Sequence, residues 1–116
     1  ALQGIRLLAP QVGERYVVVG LGVIGLLTAQ ILRASGCQVM GVDLNPSRVD
    51  LVKEFGCEGI VSVDDHSVVS SAKTWSSGAG VDGVVICTAT EKSSPMKDAA
   101  EMCRKRGKIV LVGVVG

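Results

Sequence analysis

The tightest constraint on this chain lies between Tyr16 and Asp43, in the stretch YVVVGLGVIGLLTAQILRASGCQVMGVD. Tyr16-Val17-Val18-Val19 is apolar, β-branched and too short for a helix, so it reads as a buried strand. Gly20, Leu21, Gly22, Val23, Ile24 and Gly25 follow with G-x-G-x-x-G spacing, then a helical stretch ending at Gly36. A second apolar run, Val39 to Val42, stops at Asp43, roughly 20 residues beyond the glycine turn. Each part has a task if a dinucleotide sits here. Gly20 lets the chain turn out of the strand, Gly22 leaves room for a pyrophosphate, and Gly25 lets the helix press on the strand. The helix start then offers unpaired N–H groups and a partial positive charge to phosphate, and Asp43 can accept from ribose hydroxyls. With 15 glycines in 116 residues the spacing alone is weak. Strand, helix and acid around it make the signal; a glycine-rich turn that binds nothing leaves the acid unexplained.

The rest of the chain repeats the strand–helix alternation. Leu2, Ile5, Leu7 and Leu8 suggest a lead-in helix stopped by Pro10 and Gly13, so that residues 1–13 are helix and linker. The first helix, about Val23 to Ser35, is apolar nearly all round and is expected to be the most buried. Asn45 and Pro46 mark the start of a second helix with Val49, Leu51, Val52 and Phe55 inward, ended by Gly56. A third strand spans about Gly59 to Val63. Asp64-Asp65 cap a third helix bearing Val68, Val69 and Ala72. Val81 to Cys87 reads as a fourth strand. Ser93 or Ser94 with Pro95 starts a helix running to about Arg106, whose Arg104-Lys105-Arg106 suits the negative end of a helix dipole, and Lys108 to Val114 is a fifth strand. Short connections of this kind specify right-handed parallel crossovers. The expected fold is α/β, a Rossmann doubly wound parallel sheet of about five strands in the order 3-2-1-4-5. It ends before the sixth strand of a full dinucleotide fold, leaving the strand-5 edge open to self-association. Residues 1–116 are thus expected to be one domain, a fragment of a larger protein.

Composition narrows the class. The chain is 47% hydrophobic but only 3% aromatic, the palette of a parallel sheet covered on both faces. A net charge of +1 with no basic–aromatic patch argues against nucleic acid or an anionic membrane as partner. Val17 to Leu32 is apolar enough to mimic a membrane span, but its glycines, Thr28 and Gln30 suit a buried strand–turn–helix better, and no secretory leader is visible. A cytoplasmic protein is expected. Cys37, Cys57, Cys87 and Cys103 form no C-x-x-C pair and read as free, mostly buried thiols. Cys87 is singled out because its strand end faces the expected ligand. His66, the only histidine, lies in a polar stretch and has no catalytic partner in sequence; no catalytic residues and no metal site can be assembled.

GERYVVVGLGVIGLLTAQILRASGCQVMGVDLNPSRVDLVKEFG, the GVDGVVIC strand and GKIVLVGVVG together resemble the nucleotide-binding domain of the zinc-type alcohol dehydrogenases, the medium-chain dehydrogenase/reductase family. The resemblance covers essentially the whole chain. Cys87-Thr88-Ala89-Thr90, Ser93-Ser94-Pro95 and Arg104-Lys105-Arg106-Gly107 look most like a subgroup fused to a second sugar-type oxidoreductase domain. The family resemblance implies that Gly22, Val23 and Ile24 offer backbone to the pyrophosphate. It places Asp43 on the adenosine ribose, Leu44 against adenine and Arg48 where a basic residue also reaches the ribose. Cys87, Thr88 and Thr90 would line the nicotinamide half, with Val112, Gly113 and Val114 meeting the carboxamide. It also implies that the zinc ligands and proton relay lie in a separate catalytic domain, so this chain binds cofactor without turnover.

The carboxylate at Asp43 favours a 2′-hydroxyl and repels a 2′-phosphate, which selects NAD over NADP. The implied parent is an NAD-dependent dehydrogenase acting on an alcohol or sugar hydroxyl. Two competing readings use similar turns and acids: a nucleotide-sensing regulatory domain of a potassium transport system, and a methyltransferase-like fold binding S-adenosylmethionine. The lead-in helix, the strand entered through Asp82 and the GKIVLVGVVG ending favour the dehydrogenase over the first. The complete glycine spacing favours a dinucleotide over the second.

Overall fold

The computed structural model describes residues 11–61, 65–87 and 102–111. Among them are five strands and three helices: β1 (Arg15–Val19), α1 (Val23–Ala34), β2 (Gln38–Asp43), α2 (Pro46–Glu54), β3 (Glu58–Val61), α3 (Asp65–Trp75), β4 (Val81–Ile86) and β5 (Cys103–Leu111). All strand pairs are parallel, and the sheet order is β3-β2-β1-β4-β5, as the sequence predicts. The chain winds outward from β1 in one direction and then returns to its other side at β4. That reversal opens a crevice at the carboxyl ends of β1 and β4, where open α/β sheets hold ligands.

Strand periodicity divides the core into two layers. Tyr16, Val18, Val39 and Val85 turn to one face, where they meet Ala29 and Leu32 of α1 and Val49 and Val52 of α2. Val17, Met40, Val42, Val84 and Ile86 turn to the other, against Val68, Val69 and Ala72 of α3. Valine recurs because both faces of β1, β2 and β4 are covered, and branched side chains fill a pleated surface. Asn45 caps α2 by accepting from the Ser47 N–H at 2.9 Å, with Pro46 in the first turn.

Three expectations are corrected. Helix α1 is not buried all round: Gly25, Thr28, Ala29 and Leu32 face the sheet, whereas Val23 is 75% exposed and Leu27 44%. Only one stripe of a helix can touch a sheet, so Leu26 and Ile31 pack at its margin while Val23 and Leu27 stay in solvent. In α2, Val49 and Val52 are buried, but Leu51 and the following Phe55 lie at the margin. The largest departure is at Arg104-Lys105-Arg106, which belongs to β5 and not to the last turn of a helix. Cys103 pairs with Val81 and Lys108–Leu111 pair with Gly83–Ile86, with a register shift between. Pairing with a buried neighbouring strand outweighs the local helix-end signal, and the irregularity absorbs the additional residues. The lead-in helix, the Asp64 cap, the start of the helix at Ser93 to Pro95, and Val112 to Val114 lie outside the described residues.

Candidate functional site

The crevice is built from the turn after β1. Gly20 sits at φ +93°, a left-handed conformation that a side chain would strain, and its N–H donates to the Val42 carbonyl at 2.8 Å. The turn is thereby tied to the end of β2. Leu21 is fully buried beneath it, and its backbone N–H donates to Asp43 Oδ2 at 2.6 Å. Asp43 Oδ1 accepts the Asn45 N–H at 2.8 Å, and Arg48 Nη1 stands 3.7 Å from Oδ2. The carboxylate is therefore held at the carboxyl edge of the sheet, facing the turn. Its side chain is 10% exposed and that of Arg48 51%, so a half-exposed guanidinium stands beside a mostly buried anion.

Gly22 caps α1 in an extended conformation, no side chain caps the helix, and no acid lies in its first turn. The first intrahelical bond runs from the Leu26 N–H to the Gly22 carbonyl, leaving the N–H groups of Val23, Ile24 and Gly25 directed out of the helix start. A Cβ added at Gly22 would meet nothing within 4 Å, whereas one added at Gly25 would run into the Gly20 carbonyl. The two glycines thus serve different ends. Gly25 permits contact between helix and strand, and Gly22 leaves vacant volume beside a helix N-terminus.

On the other side of the reversal, the Cys87 N–H donates to the Val19 carbonyl at 2.8 Å, extending the β1–β4 ladder by one residue. Burial pushes its thiol upward from the ordinary value. Val23, Ile24, Leu27 and Leu44 are exposed. Gly20, Gly22, Val23, Ile24, Gly25, Asp43, Leu44, Arg48 and Cys87 all lie at this edge, and Thr88, Thr90, Val112, Gly113 and Val114 lie outside the described residues. Sequence reasoning missed the Leu21 and Asn45 backbone donors, which no residue letter announces.

An uncapped helix start, open space at Gly22 and an anchored carboxylate fit an adenine dinucleotide, with diphosphate at the helix and ribose at Asp43. Zinc finds no such fit: no group of three or more His, Cys, Asp or Glu side chains gathers among the described residues. None of the four cysteines is in a disulfide; Cys37 and Cys57 are buried and Cys87 and Cys103 half-buried. No helix among the described residues is long and apolar enough to cross a membrane.

Residues 23–116 match the model of the family described as zinc-binding dehydrogenase. Alcohol dehydrogenase 1 of Cenchrus americanus is 37% identical over 113 residues, covering 95% of this chain and 29% of the relative. The (R,R)-butanediol dehydrogenase of Neisseria gonorrhoeae is 32% identical over 103 residues, covering 88% and 28%. The chain therefore spans less than a third of either relative. Among solved structures, 2R,3R-butanediol dehydrogenase from Bacillus subtilis superposes with a TM-score of 0.86 at 26% identity, covering 97% of this chain and 32% of that one. An apo zinc-dependent alcohol dehydrogenase from Streptococcus pneumonia reaches 0.87 at 18% identity, over 96% and 32%, which supports the fold. A family implying a nicotinamide dinucleotide cofactor gives no support to a potassium-transport sensor. Fold, site and relatives agree: this chain belongs to the zinc-binding dehydrogenases, over the region that holds their cofactor.

Proposed function

We propose that this chain binds NAD, in preference to NADP, as the cofactor domain of a dehydrogenase that moves hydride between nicotinamide and an alcohol or sugar hydroxyl. The Asp43 carboxylate, fixed by Leu21 at the edge of the crevice, carries this reading. Two protein N–H groups occupy part of its acceptor capacity, and an ionised carboxylate has lone pairs left for the two ribose hydroxyls. A 2′-phosphate would bring like charge against it. Helix α1 presents its N–H groups to the diphosphate, and Leu44 offers an apolar surface to adenine. Cys87 borders the nicotinamide half, which Thr88, Thr90, Val112, Gly113 and Val114 complete. Bound NAD supplies the hydride acceptor; this chain binds and orients it. Relatives named alcohol, L-threonine 3- and butanediol dehydrogenases support a hydroxyl-bearing substrate. Zinc and the proton relay belong to a separate catalytic domain, and the protein works in the cytoplasm.

Calorimetric titration of the full chain with NAD and NADP tests this. Saturable NAD binding with weaker NADP binding is expected. Absence of binding by either ends the reading, and equal affinities end the stated preference.

A further inference from the structure

Glycine is a poor strand residue, yet Gly41 stands inside β2, buried, with Val18 of β1 and Gly59 of β3 as its register partners. Its φ is not positive, so the backbone there accepts any residue and the demand for glycine is one of space. A Cβ at Gly41 would lie 2.9 Å from Val52 Cγ1 of α2 and 3.0 Å from both Cδ atoms of Leu21. Leu21 and Val52 are wholly buried, in the same core layer as Val39. Alternation along the strand puts Val39, Gly41 and Asp43 on one face. Leu21 meets that face twice: its side chain lies over Gly41, and its N–H donates to the Asp43 carboxylate at 2.6 Å.

We propose that Gly41 is a positioning residue: by leaving room for the Leu21 side chain, it sets where the Leu21 N–H holds the Asp43 carboxylate, and so the preference for a ribose 2′-hydroxyl over a 2′-phosphate. This rests on the dinucleotide reading above. Gly41 is buried and acts only through Leu21. Gly59, its register partner on β3, offers an internal comparison. A Cβ there would lie 2.8 Å from Val49 Cγ1 and 3.1 Å from Lys53, so it presses on the same helix with Val49 and Lys53, not Leu21, as its nearest neighbours.

The test is calorimetric titration of wild type, Gly41→Ala and Gly59→Ala with NAD and with NADP. Both variants crowd α2 against the sheet, and both are expected to lose stability. Only Gly41→Ala displaces Leu21. Its ratio of NAD to NADP affinity is expected to fall roughly 3- to 10-fold, the effect of one weakened hydrogen bond to the acid, while that of Gly59→Ala stays within about twofold of wild type. A ratio that does not fall in Gly41→Ala, or that falls equally in both variants, overturns the positioning role and leaves the dinucleotide site standing. Failure of wild type to bind either ligand overturns both. Should Gly41→Ala not fold, adding Val52→Ala removes the nearer clash and keeps the one with Leu21, and the same fall in the ratio is required.

Discussion

The Leu21 backbone N–H and the Asp43 carboxylate meet at 2.6 Å, joining the turn after β1 to the last residue of β2. A group that would recognise a ribose is thus also a structural acceptor. Its removal acts on binding and on folding through different bonds.

Asp43→Ala is expected to weaken NAD by about 1–3 kcal/mol, the range for lost charged hydrogen bonds, and to narrow the preference over NADP. It also orphans the Leu21 and Asn45 donors, so stability should fall by about 1–2 kcal/mol. Calorimetry and denaturant unfolding separate the two effects. An unchanged cofactor preference would remove Asp43 from the site.

The two inner glycines should respond oppositely. Gly25→Ala drives a methyl into the Gly20 carbonyl and should cost about 2 kcal/mol or more. At Gly22 the backbone φ is −71°, open to any residue, and the surrounding space is empty. Gly22→Val should therefore fold with near-wild-type stability and lose NAD binding, because its branches fill the diphosphate volume. Thermal unfolding beside calorimetry checks the pair; a folded Gly22→Val that binds NAD normally would displace the diphosphate from this turn.

Arg48→Ala should leave stability within about 0.5 kcal/mol of wild type, since a pair at 3.7 Å whose cation is half-exposed is largely screened by water. Its effect should appear in cofactor titrations, with NADP weakened more than NAD, because the guanidinium is the cation beside the ribose acid. Stronger NADP binding by the variant would contradict that placement.

Alkaline pH should destabilise the fold in two stages. Burial pushes the Cys37, Cys57 and Cys87 thiols above their ordinary value of 9.0. Burial, reinforced by the bond from the Tyr16 hydroxyl to Glu14 Oε1, pushes that phenol well above 10.0. The unfolded chain releases these protons first, so stability is full below the ordinary values and is lost as pH climbs from them toward the folded ones. Unfolding midpoints should start to fall near pH 9 and fall more steeply beyond pH 10. Tyr16→Phe should flatten the second stage alone; an unaltered profile would show that the phenol does not contribute.

Legibility in the sequence followed the range of the forces involved. Val17–Val19, the Gly20 turn, Pro46 and Asp43 announced themselves because β-branching, backbone freedom and helix initiation are local properties. Strand order followed from parallel crossovers and was also readable. The start of β5 was not, since Cys103 joins the sheet by pairing with Val81, a partner distant in sequence. The apolar letters at Val23 and Leu27 gave hydrophobicity but not direction, and only the sheet decided which stripe of α1 it would cover. At the site, the residue types were legible and the tethering was not: Leu21 acts through its backbone N–H, which only folding brings to the Asp43 carboxylate.

The two core layers each carry one natural chromophore. The single tyrosine, Tyr16, is embedded in the layer beneath α1 and α2, and the single tryptophan, Trp75, rests on the layer beneath α3. Ultraviolet absorbance of one and fluorescence of the other can therefore follow the opposite sides of the sheet in unmodified protein. Coincident melting curves would mark a sandwich that comes apart as one body. A lag between them would identify which slab of helices lifts off first.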